Sequence, residues 1–350
     1  MMTNIIKCLA FALIALILLS LGMIVGYPEV AFADHQVFIS DATTLRVTDI
    51  ATMGAVSDVA GVLSSSTGYD DGYHMVVDSI GRRIFVSDHD SDFMVFNFSL
   101  TQLFPTWGGS LSEPLGIAPL PDGRILITDE EDYGGLGQEG LFRLNSNLTL
   151  DASASGTSSG DFDGLEGVVY DSVNNRIFVA DEDDGDIEIF NGTTLARIGN
   201  FDTGTGSDGP YWLGVDGSSN RLFMLSDYSV SGNFGIHVYD IISGGNNLSF
   251  NQTLLGSGGA STDCYGTLAV SESTDRLFAI DYCNDTVAIY DTTNLNFLGT
   301  VPVARAGTNP LMVSVGDFAA PTPGAPDEGI TSGSVLRTPN PGVSPGAPAP

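Results

Sequence analysis

Short apolar runs closing on an acidic residue recur along this chain, each followed by a polar loop and a second apolar run. The clearest copy is NNRIFVADEDDGDIEIFN, which begins at Asn174. Its relatives are GRRIFVSDHDSDFMVFN from Gly81, GRILITDEEDYGGLGQEGLFRLN from Gly123, SNRLFMLSDYSVSGNFGIHVYD from Ser219 and DRLFAIDYCNDTVAIYD from Asp275. A truncated copy, HQVFISDATTLRVTD, opens at His35. Runs this short, rich in Val, Ile, Phe and Tyr and bounded by turn residues, predict strands. No segment after the amino-terminal apolar run keeps a helical period. Each copy is preceded by another apolar run, such as Gly72-Tyr73-His74-Met75-Val76-Val77 or Glu166-Gly167-Val168-Val169-Tyr170, and followed by a weaker one. The repeating unit therefore has four strands, A to D, and a period in the range of solenoids and propellers.

Arginines mark the register. Arg83, Arg124, Arg176, Arg221 and Arg276 open strand B at separations of 41, 52, 45 and 55 residues. Asp88, Asp129, Asp181 and Asp281 follow four of them by five residues, whereas Arg221 has Ser226 at that offset and Asp227 one further on. In the opening copy Gln36 replaces the arginine and Asp41 follows. That copy supplies strands B to D and lacks strand A, while Asn309–Val315 looks like a strand A with no unit of its own. Pairing the two predicts an all-β fold, a six-bladed β-propeller closed by N-terminal strands against a C-terminal strand. Closure also hides sheet edges that would otherwise recruit other chains. The strand-B ending Ile-Phe-Val-x-Asp, with the following Val/Ile-x-Ile/Val-Phe/Tyr-Asn/Asp, resembles the NHL-repeat and TolB-like six-bladed propellers over residues 35–317. The resemblance implies the fold and leaves function open, because related propellers include lactonases, lyases and binding modules.

Residues 1–33 read as a signal peptide: Lys7, the apolar stretch Cys8–Val25, and Ala31-Phe32-Ala33 before Asp34. The apolar run is also long enough to be retained as an anchor, the one route to a membrane. Residues 34–318 form the propeller. From Ala319 the composition shifts to Pro, Gly, Ala, Ser and Thr, with 8 of the 16 prolines after Ala320, so 319–350 is expected to be a disordered tail. The net charge is −31 and Lys7 is the only lysine. Such a chain repels nucleic acid and suits a cation, a basic protein or peptide, or a small polar ligand.

In a propeller the B–C loops and D–A connections share one face, the top, and the A–B and C–D turns share the base. The acids fall at the top and the repeated arginines at the base. Asp41, Asp88, Asp129, Asp181 and Asp281 are expected to cap their own loops through backbone amides. The arginines are expected to bind turn acids or carbonyls between neighbouring blades. The remaining acids are dense enough to suggest Ca²⁺, with Glu166, Asp183 and Asp184 as metal candidates. However, neither Asp181–Asp186 nor Asp88–Asp92 has the spacing of an EF-hand loop.

At the channel mouth the candidates for ligand binding are Tyr73, His74, Glu166, Tyr211, Trp212 and Tyr265; aromatics there also serve to plug a channel. The calcium-dependent gluconolactonases of related fold place a Glu, two Asn and an Asp around one metal. Glu166 sits at a plausible position, but Leu115, Leu213, Tyr265 and Leu311 are read as its equivalents, which argues against that chemistry. Cys264 and Cys283, symmetric about the predicted turn at Ser273-Thr274, are expected to form a disulfide in an oxidising compartment. The reading that results is a secreted or surface-displayed, non-catalytic binding module acting through an acidic top face. The alternative is a Ca-dependent hydrolase, lactonase or lyase with its site in the channel.

Overall fold

The computed structural model describes residues 35–40, 44–49, 57–62, 72–88, 92–98, 102–104, 111, 113–130, 139–155, 162, 164–204, 209–226, 235–242, 244–255, 265–281, 284–302 and 312–317. The expected leader, the expected tail and both Cys264 and Cys283 lie outside these residues. So does most of the acidic B–C loop from Glu131 to Gln138.

The described strands form six four-stranded antiparallel sheets. The first holds β1 (His35–Ser40), β2 (Thr44–Asp49) and β3 (Ser57–Val62), with β24 (Met312–Asp317) paired along β1 so that Ile39 faces Val313 and Phe38 faces Ser314. The second holds β4 (Gly72–Asp78), β5 (Arg83–Asp88), β6 (Asp92–Asn97) and β7 (Gln102–Phe104). The third holds β8 (Pro114–Pro119), β9 (Ile125–Asp129), β10 (Gly140–Leu144) and β11 (Leu150–Ser155). The fourth holds β12 (Leu165–Asp171), β13 (Arg176–Asp181), β14 (Asp186–Asn191) and β15 (Arg197–Asp202). In the fifth are β16 (Pro210–Asp216), β17 (Arg221–Ser226), β18 (Ile236–Ile242) and β19 (Asn247–Leu254), and in the sixth β20 (Tyr265–Ser271), β21 (Arg276–Asp281), β22 (Thr286–Asp291) and β23 (Phe297–Pro302). The inner strands β24, β4, β8, β12, β16 and β20 neighbour one another in that order, and β20 returns to β24. The chain is an all-β propeller.

The strand patterns follow from this packing. A sheet standing between two others is covered on both faces, so its middle strands need apolar residues on both and lose the simple alternation. Thus β13, Arg-Ile-Phe-Val-Ala-Asp, is buried from Ile177 to Asp181, and β21 from Leu277 to Asp281. The outermost strands β15 and β23 are largely exposed, which explains the weak fourth run of each repeat. Within strand B the period of two assigns neighbours. Val37 and Ile39 pack against the sixth sheet, while Phe38 between them packs against the second. Phe85, Phe178, Phe223 and Phe278 occupy the register position of Phe38, and each enters the gap toward the following sheet. Burying one such ring contributes about 1.5–3 kcal/mol.

The arginines stitch the seams at the base. Arg83 donates to the Asp78 carboxylate in its own sheet and to the Ser146 carbonyl of the next, at 2.7 Å. Arg176 reaches Asn246 at 2.7 Å, and Arg221 reaches the carbonyls of Thr292 and Thr293. Arg124 and Arg276 instead stay within their own sheets, bound to Asp122 and Asp151 and to Asp291. In the third sheet the stitching falls to Arg143 on β10, which binds the Gly192 and Thr193 carbonyls. Sequence reasoning missed Arg143 because it lies outside the repeated Arg–Asp spacing.

Candidate functional site

The inner strand of each sheet has one edge with no strand beside it, so its amides must find other partners. Side chains of the adjacent inner strand supply several. The Val77 amide donates to Ser314 Oγ at 3.0 Å, that of Val313 to Thr267 Oγ1 at 2.9 Å, and that of Ile117 to His74 Nδ1 at 3.1 Å. Strand-B hydroxyls add a second set of bridges. Ser87 Oγ accepts the His74 amide and donates to the Leu115 carbonyl; Thr128 Oγ1 accepts the Gly116 amide and donates to the Glu166 carbonyl. Glycine makes the closest approaches possible. A Cβ on Gly116 would lie 2.3 Å from the Glu166 carbonyl oxygen, and one on Gly167 would lie 2.7 Å from that of Tyr211.

Near the top every described inner strand from β4 to β20 shifts register against its strand B. The shift brings Tyr73, Leu115, Glu166, Tyr211 and Gly266 into one row. This corrects the row expected from the sequence: Leu213 belongs with Val168, and Tyr265 with Leu165. Spacing alone could not show it, because a bulge consumes one residue without changing the apolar pattern. The same shift pairs Tyr265 with Asp281, whereas Ser271 pairs with Arg276, so a simple reflection through the turn holds only for the lower part of the hairpin that Cys264 and Cys283 flank.

The candidates separate. The side chain of Tyr73 lies outside the described residues. His74 is buried and stacks on Trp212, ring centroids 4.6 Å apart and planes at 32°. Since β4 and β16 stand opposite one another in the cyclic order, this pair is a bar across the channel. Tyr211 stands edge-on to Trp212 at 5.5 Å. Tyr265 sits in the wall between the fifth and sixth sheets, where its hydroxyl meets that of Tyr290 at 2.9 Å. Glu166 is buried at its bulge, while Asp183 and Asp184 are exposed on the β13–β14 turn. Among the described residues no three His, Cys, Asp or Glu side chains gather into a metal-sized cluster.

His74 is neutral. Its Nδ1 accepts a backbone amide, which leaves the ring proton on Nε2, and burial pushes its pKa down to about 4. Of the strand-end acids whose side chains are described, Asp181 and Asp281 cap their own loops, whereas Asp129, contrary to expectation, binds the connection that leads into β8. Asp129 accepts the Glu113 amide at 2.8 Å, Asp181 that of Asp184 at 3.4 Å, and Asp281 that of Asn284 at 3.2 Å. The corresponding side chains of Asp41 and Asp88 lie outside the described residues.

Below the bar the channel opens into a cavity of about 370 Å³, reaching from His74 to the A–B turns at Ser79, Ile80, Pro121, Ser172 and Glu272. It is built in rings, one residue from each inner strand: Val76, Ala118, Val169, Gly214, Ala269 and Ser314, then Val77, Pro119, Tyr170, Val215, Val270 and Val315. The sequence pointed to the top mouth; this cavity faces the base. The signal was present as a valine at the same place in successive A runs.

Comparison with family models finds no match, and neither does comparison with curated protein sequences. Among solved structures, a chain from the crystal structure of a nidogen/laminin complex is similar with a TM-score of 0.57, covering 81% of this chain and 100% of that chain at 12% sequence identity. At this identity the likeness concerns the fold, and it agrees with a propeller.

Proposed function

We propose that the chain is a six-bladed propeller of the NHL-repeat and TolB-like kind, closed by β24 against β1, and that it is a secreted or surface-displayed module binding a basic partner through its acidic loop face without catalysis. The six cyclic apolar clusters, each joining two adjacent sheets, support the ring. The division of labour among the top-face acids carries the function. Asp129, Asp181 and Asp281 are buried and bonded to backbone amides, while Asp183, Asp184 and Asp202 stand in solvent. Exposed, dispersed carboxylates attract cations over a distance but do not assemble a proton-transfer site. The nidogen/laminin neighbour is a precedent for a propeller-like chain within a complex of proteins.

The geometry of the ends suits display. His35 pairs with Asp317 on the side of the A–B turns, so the chain enters and leaves the propeller at the base, and a tether at either end would point the acidic face outward. Binding of an immobilised oligo-arginine peptide tests the reading. Affinity should fall about tenfold or more between low and half-molar salt, and Asp183→Lys with Asp184→Lys should weaken it without changing the melting temperature. Salt-independent binding, or none at low salt, sinks the proposal. Lactone hydrolysis that requires Ca²⁺ and disappears in Glu166→Gln would establish the enzymatic alternative.

A further inference from the structure

We propose that the lower half of the channel is a binding site for an uncharged, elongated apolar molecule that carries one hydrogen-bond acceptor at its leading end and enters from the base. The site lies at the opposite mouth from the acidic loops and is independent of the partner proposed for them.

Three observations carry it. First, much of the wall is apolar yet uncovered. Val76, Val169, Val215, Val270 and Val315 come from five different inner strands, are each only half-buried, and line the same space. Apolar surface left facing a cavity is stabilised when a ligand removes it from water. Second, part of the polar lining is already engaged. The inner-edge amides of Val77, Ile117 and Val313 are already bonded to Ser314, His74 and Thr267. Ordered water needs two to four polar partners, and each amide so engaged is one that water in the cavity lacks. Third, the inner end holds one polar handle. The Ile117 amide engages His74 Nδ1, so the ring proton is on Nε2, and His74 lines the inner end of the cavity. Trp212 behind the ring fixes its plane.

These features define the ligand. A cavity of about 150 Å³ accommodates benzene, so 370 Å³ suits a molecule of about fifteen non-hydrogen atoms. A neutral donor beside this ring of valines favours a ketone, ester, amide or ether oxygen. A carboxylate would lose its hydration with no cation to replace it. At the mouth Ile80, 67% exposed, and Pro121 give an apolar part to an opening that Ser79, Ser172 and Glu272 also line.

The test uses the fluorescent ketone 6-propionyl-2-(dimethylamino)naphthalene and its 6-propyl analogue, which lacks the carbonyl. One ketone should bind per chain, with blue-shifted emission excited by energy transfer from tryptophan. In the unsubstituted protein the ketone should bind about fivefold more tightly than the analogue, the worth of one hydrogen bond. His74→Phe keeps a ring over Trp212 and should abolish that difference while leaving the analogue's affinity unchanged. Val215→Phe, which fills the tube, should abolish binding of both. Absence of saturable binding, equal affinities in the unsubstituted protein, or undiminished binding to a Val215→Phe variant that melts normally overturns the proposal. Oligo-arginine binding at the loop face is read separately, so failure of either proposal is recognisable on its own.

Discussion

Leu148, Leu195 and Leu295 have φ of 64°, 58° and 63°, a region costing a non-glycine residue about 1–2 kcal/mol. All three follow strand C, where Asn191 and Asp291 accept the next turn's amides, and all three turn their side chains into the core between sheets. Burial offsets the backbone cost, so leucine persists where a turn alone would select glycine. His74 shows the same coupling of local chemistry to packing. Its ring titrates near 6.5 in the unfolded chain but only near 4 in the folded one, because burial disfavours the charged form. Between those values the unfolded state binds the extra proton, so stability falls as pH drops from 6.5 toward 4, by about 3 kcal/mol in all. The stability difference between the unsubstituted protein and His74→Phe, from urea unfolding at several pH values, should therefore shrink across that window. A difference independent of pH would refute the account. The sequence singled out His74, Trp212 and Tyr211, and these three do meet. Tyr265 stands apart in the wall between the fifth and sixth sheets, one residue before the row of Tyr211 and two before that of His74 and Trp212.

At the scale of the strand, hydrophobic pattern placed nearly every element, because the same constraint acts on every sheet: two covered faces inside and an exposed edge outside. What the pattern hides is how closely strands approach. Gly167 opens a run that reads simply as a turn followed by a strand, yet its missing Cβ admits the Tyr211 carbonyl of the next inner strand. Gly167→Ala should cost upwards of about 2 kcal/mol, since backbone would have to move. Gly199→Ala, on an outer strand with nothing within 4 Å of the new methyl, should be neutral or stabilise by up to about 1 kcal/mol. Chemical denaturation of the two variants side by side decides it, and equal effects would mean the inner strands are not in close contact. Arg143 belongs to this scale as well. Its role comes from the position of the Gly192 and Thr193 carbonyls, which no spacing within its own repeat encodes.

For the molecule as a whole, the critical element is β24. Met312 contributes to the apolar cluster with the second sheet and Val313 to that with the sixth, so removing this strand exposes two cores and one edge of β1 together. Truncation after Phe318 should leave the thermal transition unchanged. Truncation after Thr308 should abolish cooperative melting or solubility, and a peptide spanning 309–318 added in trans should restore it. A chain ending at Thr308 that melts like the full protein would mean the ring does not depend on its ends. Charge is also read at the scale of the whole molecule: Arg83, Arg143, Arg176 and Arg221 reach across seams to neighbouring sheets, which follows from the fold and from nothing in any single repeat.

Periodicity and turn chemistry are local, and they alone determined the all-β class, the repeat, the approximate edges of each strand and the capping by Asp181 and Asp281. Which face holds the cavity, which residue of each inner strand is displaced by a bulge, and which arginine crosses each seam were decided by tertiary structure. These depend on distances between segments that are far apart in sequence, where a single inserted residue rotates every later side chain without altering the pattern of apolar and polar positions.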